Sequence, residues 1–108
     1  MTMLSSVAER LYWMSRYLER AEDTARLISA YNHLIMDIPR GAEPGWDIMV
    51  RILDAQPIFD ERFRVANEQN VLKLLISDAD ATCSIPSAVR AARENVRTCL
   101  LYTSDAAD

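Results

Sequence analysis

Glycine and proline are scarce: two and four in 108 residues. Sheets built from hairpins need turn formers at short intervals, so this scarcity excludes a turn-rich β fold and favours helices. Histidine is represented once, by His33, and lysine once, by Lys73. A single histidine gives no E-x-x-H pair, so a di-metal carboxylate bundle is not supported, and no metal or other cofactor is expected. Gly41 and Gly45 make no phosphate-cradling loop. The only cysteines, Cys83 and Cys99, stand too far apart for C-x-x-C or zinc-ligand spacing. Two distant thiols in a helical, methionine-containing chain fit a reducing compartment. No basic segment followed by an apolar run opens the sequence. The longest apolar run, Leu74-Leu75-Ile76 with Val71 and Leu72 nearby, is far too short to span a bilayer. These features place the chain in the cytoplasm with no membrane partner. A net charge of −4 and a pI near 4.9 advertise no basic face, which argues against nucleic acid as a partner.

What the chain does have is apolar residues in helical order. Half of it is hydrophobic, enough for the core of one domain. Leu4, Val7, Leu11, Met14, Leu18, Ala21, Ala25, Ile28, Asn32 and Ile35 follow one another in alternating steps of three and four. That seam predicts a helix over 6–37, roughly 48 Å long. Ser5 or Ser6 is placed to cap it, with Glu9 completing a capping box, and Pro39 and Gly41 end it. Trp13, Tyr17, Leu27, Tyr31 and Leu34 widen the apolar surface beyond what a two-stranded coil requires, so several packed partners are expected. After a linker over 40–45 comes a shorter helix over 46–55, with Trp46, Met49, Val50 and Leu53 on one face. Pro57 breaks it, and 58–65 reads as a short helical turn. Asn67 is suited to cap a helix over 68–76. A polar loop over 77–83 leads to Ser84, a cap followed by Pro86 in the first turn of a last helix. Ile85, Ala88, Val89, Ala92 and Val96 line one face of it. The expected fold is all-α: a helical bundle with one long N-terminal helix and about three shorter ones.

Few residues advertise chemistry. His33 lies beside the seam and reads as a surface or satisfied core histidine. Cys83 sits just before a helix cap, where a thiol can be activated, but no histidine or asparagine constellation accompanies it. The eleven arginines suit fixed pairing with carboxylates, although they also follow genome base composition. More pointed is the doubled Glu-Arg dipeptide, Glu9-Arg10 and Glu19-Arg20. Ten residues apart on a helix is an offset of roughly 80°, so the two do not form one flat patch. Arg16–Glu19, Glu22–Arg26 and Asp23–Arg26 stand at helical-neighbour spacing. Arg10 and Glu22 flank the seam, where a partly buried charge needs a partner. Arg93, Glu94 and Arg97 on the last helix are the candidates. The bland alternative is a solvated charged face. The aromatic stripe of Tyr12, Trp13, Tyr17 and Tyr31 reads as core or interface.

The stretch 7–26 (VAERLYWMSRYLERAEDTAR) resembles the opening of the alpha-E domain family, a bacterial all-helical domain named for its Glu-Arg motif. The stretches 71–76 (VLKLLI), Ser84-Ile85 and 91–97 (AARENVR) agree with it, while 40–67 matches loosely. Carried over by position, the motif residues are Glu9, Arg10, Glu19 and Arg20, with Arg16 beside them and Arg93, Glu94, Asn95 and Arg97 in the last helix. The resemblance implies no settled activity and no catalytic residue. It implies association with ATP-grasp or transglutaminase-like proteins that modify peptide or amide bonds. The expected role is an accessory helical domain that docks on such a partner through the charged face of the first helix. Two alternatives stand beside it: an enzyme whose bundle encloses a Glu/Arg pocket for a peptide or nucleotide anion, and a homo-oligomeric scaffold. Family chains are longer than 108 residues. Residues 99–108 resemble translated sequencing-adapter DNA, so the expectation is a native fragment over 1–98 followed by a foreign tail over 99–108. In such a fragment the Trp13, Tyr17 and Tyr31 side of the first helix would be bare and would promote self-association.

Overall fold

The computed structural model describes the backbone of residues 2–107 and the side chains of residues 3–102. It is all-α, with no strand among the described residues. Helix α1 runs Thr2–Asp37. Three short helices follow, α2 (Asp47–Ile52), α3 (Gln56–Arg62) and α4 (Glu68–Leu72), the last widening into a π-helical turn, Lys73–Ser77. Helix α5, Ile85–Ala107, returns along α1. Cys83, just before α5, packs against the core that the C-terminal half of α1 joins through Tyr31, whereas Asn95 meets Arg10, so α5 is antiparallel to α1.

The caps carry the local logic. The Asn67 side chain accepts the Asn70 N–H at 2.8 Å, and the Ser84 hydroxyl accepts the Ser87 N–H at 3.1 Å. Both were expected from sequence. The expected capping box was not formed: α1 already begins at Thr2, so Ser5 and Ser6 lie inside the helix. The helix expected over 46–55 stops earlier, at Ile52. Asp54 takes a left-handed backbone, φ 53°, and the Ala55 N–H closes the helix end on the Val50 carbonyl at 2.9 Å, a Schellman-type ending. Pro57 then sits within the first turn of α3, where its missing N–H costs nothing. It opens a helix instead of closing one.

One core gathers at the C-terminal half of α1. Tyr31, Trp46, Met49, Val50, Ala55, Phe59, Val71, Leu74, Leu75 and Ala81 form it, with Leu27 and Ile28 packed against it. Tyr31 and Trp46 meet edge to face, 5.0 Å between ring centres, and the Tyr31 hydroxyl donates to the Gly45 carbonyl. That bond pins the linker to α1. Burial, with Asp47 adding to it, pushes the Tyr31 hydroxyl pKa up. Tyr31 is therefore core and Tyr17 is half-buried, corrections to their expected exposure; Trp13 is 41 % exposed, as expected.

Away from this core the molecule is a two-helix hairpin. Its radius of gyration is 18.0 Å and its extents are 64 × 28 × 17 Å, against about 13 Å for a compact chain of this length. The covered positions along α1 are Ser6, Val7, Arg10, Met14, Tyr17, Ala21, Thr24, Leu27, Ile28, Tyr31 and Ile35. This stripe shares Val7, Met14, Ala21, Ile28 and Ile35 with the expected seam but is turned about its edge. Leu4, Leu11, Leu18, Ala25 and Asn32 are exposed. On α5, Ala88 and Ala92 are buried, as expected, whereas Val89 is 47 % exposed. The turn of the seam has an identifiable cause. The short helices gather about Tyr31, and α5 packs along α1 with Ala88 and Ala92 buried on its side and Ala21 and Thr24 on the other, so the face bearing these residues is the one that closes.

Candidate functional site

The charged residues of α1 and α5 fall into two separate places. The first is the hairpin seam. Arg10 is half-buried there, and its guanidinium donates to the Asn95 side-chain oxygen at 3.2 Å. The amide nitrogen of Asn95 in turn donates to the Ala91 carbonyl at 2.8 Å. Both ends of this buried amide are thereby satisfied. Glu9 lies 3.4 Å from the Arg10 guanidinium and balances its charge. No buried side-chain nitrogen or oxygen among the described residues lacks a partner. The cross-helix partner of Arg10 is thus neutral Asn95 instead of one of the charged neighbours on the same helix. Glu94 pairs with Arg97 at 3.6 Å on the exposed side of α5, and Arg93 is exposed. Glu22 pairs with Arg26 along α1 and needs no partner from α5.

The second place is an open groove of about 440 Å³ on the outer side of α1, lined by Arg16, Glu19, Arg20, Asp23, Thr24, Leu27 and Leu53. Here Arg16 meets Glu19 at 3.1 Å, and the Arg20 guanidinium lies 5.5 Å from the centre of the Tyr17 ring. The second Glu-Arg pair therefore stands at the mouth of a groove, and the first is tied into a helix–helix contact. Leu53 comes from the end of α2, and no periodic signal in the sequence links it to α1. Thr24 was hidden by its polarity: it is 5 % exposed and forms the inner wall.

A further cavity, of about 320 Å³, is lined by Arg62, Phe63, Lys73, Ser77 and Asp78 beside the π-helical turn. Arg62 and Asp78 bridge it at 2.8 Å. Neither had a signal in the sequence, since the pair joins α3 to a loop. Nearby, burial pushes the Cys83 thiol pKa up; its backbone hydrogen bond and Arg62 pull it down, and Asp78 pushes it further up. The net effect keeps sulfur protonated, the opposite of an activated nucleophile. Alkylation of Cys83 by iodoacetamide at mildly alkaline pH should accordingly be slower in the folded chain than in urea, as read by peptide mass analysis. A faster folded-state reaction would mark an activated thiol. The same shift predicts a stability contribution that is present below the ordinary thiol range and lost as pH rises through the raised value.

His33 is exposed on α1. No group of three or more His, Cys, Asp or Glu among the described residues is arranged to hold a metal ion. No helix among them is long and apolar enough to cross a membrane. The helix α5 continues through the segment read as foreign; the side chains of 103–108 lie outside the described residues.

No curated protein and no solved structure matches the chain. A family profile does, over residues 3–103, and its family is described as a predicted alpha-helical domain with a conserved ER motif. The match spans both Glu-Arg dipeptides, the seam and the groove, and ends five residues beyond the boundary drawn at 98. With nearly the whole hairpin and core inside that match, the chain belongs to the Alpha-E family.

Proposed function

We propose that the chain is a non-catalytic docking domain and that another protein engages it at the groove on the outer side of α1. The reading rests on the charge pattern of that groove. Arg16, Glu19, Arg20 and Asp23 alternate in sign over a floor of Thr24, Leu27 and Leu53. Equal numbers of opposite charges produce no field that would concentrate an anion. Alternating charges over an apolar floor suit a protein segment of complementary pattern. The rival pocket for a peptide or nucleotide anion is less well supported. Arg10 is engaged by Asn95 and Glu9, and Arg20 shares its groove with two carboxylates. The partner class suggested by the family likeness is an ATP-grasp or transglutaminase-like protein of a peptide or amide-bond modification system.

The substitution Arg20→Glu is expected to weaken capture of such a protein, encoded beside this chain, by about tenfold or more. Isothermal titration calorimetry reads the affinity, and turnover by the partner alone should keep its rate. If Glu19→Gln or Arg20→Gln abolished turnover while the complex still formed, the pair would be catalytic and the docking reading would fail. If neither capture nor turnover moved, these charges would only solvate a helix face.

A further inference from the structure

The π-helical turn Lys73–Ser77 sends Leu74 and Leu75 into the core, 0 and 1 % exposed, and leaves Lys73, Ile76 and Ser77 outside. Turns of this kind are rare and recur at functional sites. Lys73 and Ser77 line the cavity of about 320 Å³ beside Arg62, Phe63 and Asp78. They also line an adjoining hollow of about 520 Å³.

The charges here do not cancel. One Asp78 oxygen is held by Arg62 at 2.8 Å, and the other accepts the Asp80 N–H at 3.0 Å. Both oxygens of that carboxylate are thus engaged within the chain. The ammonium of Lys73, the chain's single lysine, is engaged by no ion pair or side-chain hydrogen bond among the described residues. It leaves one uncompensated positive charge on the cavity wall. Ser77, four residues on, adds a hydroxyl that has no hydrogen-bond partner among the described residues either. Phe63 supplies the opposite character. It is half-buried, and its ring lies 5.2 Å from that of Phe59, so it forms a fixed apolar wall.

We propose that this cavity binds a small apolar monocarboxylate. The Lys73 ammonium and the Ser77 hydroxyl give one donor to each carboxylate oxygen, and the aryl or alkyl body lies on Phe63. A charge-assisted bond from Lys73 supplies the stronger of the two contacts. A phosphate fits less well. It would bring a second negative charge against a wall that contains Asp78 and offers Lys73 alone as an uncompensated cation. The cavity is also near the lower end of the roughly 300–1,000 Å³ of small-molecule sites, which limits the body to about one ring or a short chain. The same chemistry is carried by a free organic acid and by the carboxy terminus of a peptide ending in an apolar residue. The cavity shares no residue with the groove on α1, so the inference goes beyond the docking reading and does not depend on it.

A nitrogen-15 NMR titration of the full chain with 3-phenylpropionate tests it. Amide shifts should cluster at 62–63 and 73–78 and fit a Kd of about 1 mM or tighter. Lys73→Gln should weaken binding about tenfold, and Lys73→Arg should hold it within about threefold. Lys73 is exposed, so both variants should keep the helix content of the wild type. Arg93→Gln, which removes a distant exposed charge, should leave the Kd unchanged. The neutral analogue 3-phenylpropanol should bind far more weakly. An acetylated tripeptide ending in phenylalanine separates the two sources. Tighter binding than the free acid assigns the site to peptide termini, weaker binding assigns it to free acids, and either supports the site. Shifts scattered over the surface, equal affinity for 3-phenylpropanol, tighter binding of inorganic phosphate, or a Lys73→Gln variant that binds as the wild type does would each overturn the inference.

Discussion

The substitution Phe59→Ala is expected to remove about 3–5 kcal/mol of stability. Phe59 is 2 % exposed and its ring lies 5.2 Å from that of Phe63. It is carried on α3, a helix of seven residues that is too short to persist without tertiary contacts. Truncation removes the apolar area of the ring, leaves a void between short segments, and takes away the aromatic pair, itself worth about 0.5–1.5 kcal/mol. A domain of this size has only about 5–15 kcal/mol in total, and among the described residues Phe59 belongs to the one buried cluster. The variant should therefore unfold in much less denaturant, with the short helices and the C-terminal half of α1 lost together. Urea titration followed by far-ultraviolet circular dichroism reads the change. A loss below about 1 kcal/mol would mean that the site collapses without cost and that Phe59 does not hold the short helices in place.

Local chemistry was the most legible layer of this fold. Asn67 and Ser84 announce their helices because a cap is a contact within three residues. The long helix announces itself by a three-and-four repeat that no strand could carry. Where the sequence misleads, a non-local contact or an ambiguous residue decides. Pro57 reads as a stop and is the opening turn of α3, since proline suits both places. Asp54 ends α2 in a left-handed conformation that glycine usually marks.

The repeat along α1 contains two overlapping stripes that share Val7, Met14, Ala21, Ile28 and Ile35. Choosing between Leu11 and Leu18 on one flank and Arg10, Tyr17 and Thr24 on the other depends on what α5 and the short helices present. Apolarity alone selects the leucine flank. The structure buries the other, because Asn95 receives Arg10 and Gly45 receives the Tyr31 hydroxyl. The candidate site shows the same division. Sequence spacing foresees Arg16–Glu19, a pair within one turn. It also foresees that Arg10 needs a partner on the last helix. It does not foresee Leu53 across the groove or Arg62 beside Asp78, since each joins segments with no common periodicity.

The substitution Ala92→Leu should separate the hairpin from the core. Ala88 and Ala92 on α5 are each 3 % exposed, and Ala21 on the facing side of α1 is 8 % exposed. Small side chains on both helices permit close approach, near the lower end of the 8–10 Å range of interaxial distances. A leucine at 92 adds three heavy atoms where there is no space, at a cost of about 1–3 kcal/mol. The strain falls one turn from Asn95, so the Arg10–Asn95 bond should loosen with it. Among the described residues the outer stretches of α1 and α5 pack on each other, whereas the start of α5 is held by Cys83 and the Ser84 cap. Opening should therefore be local. Amide hydrogen exchange should show lost protection along the outer half of α5 and the first turns of α1, with Met49, Phe59 and Leu74 protected as in the wild type. The same change at Ala30, exposed on α1, should do little, because leucine there meets solvent. If Ala30→Leu and Ala92→Leu gave equal exchange, the two-helix seam would not depend on small residues. If Ala92→Leu unfolded the core together with the hairpin, core and hairpin would be one cooperative unit instead of two.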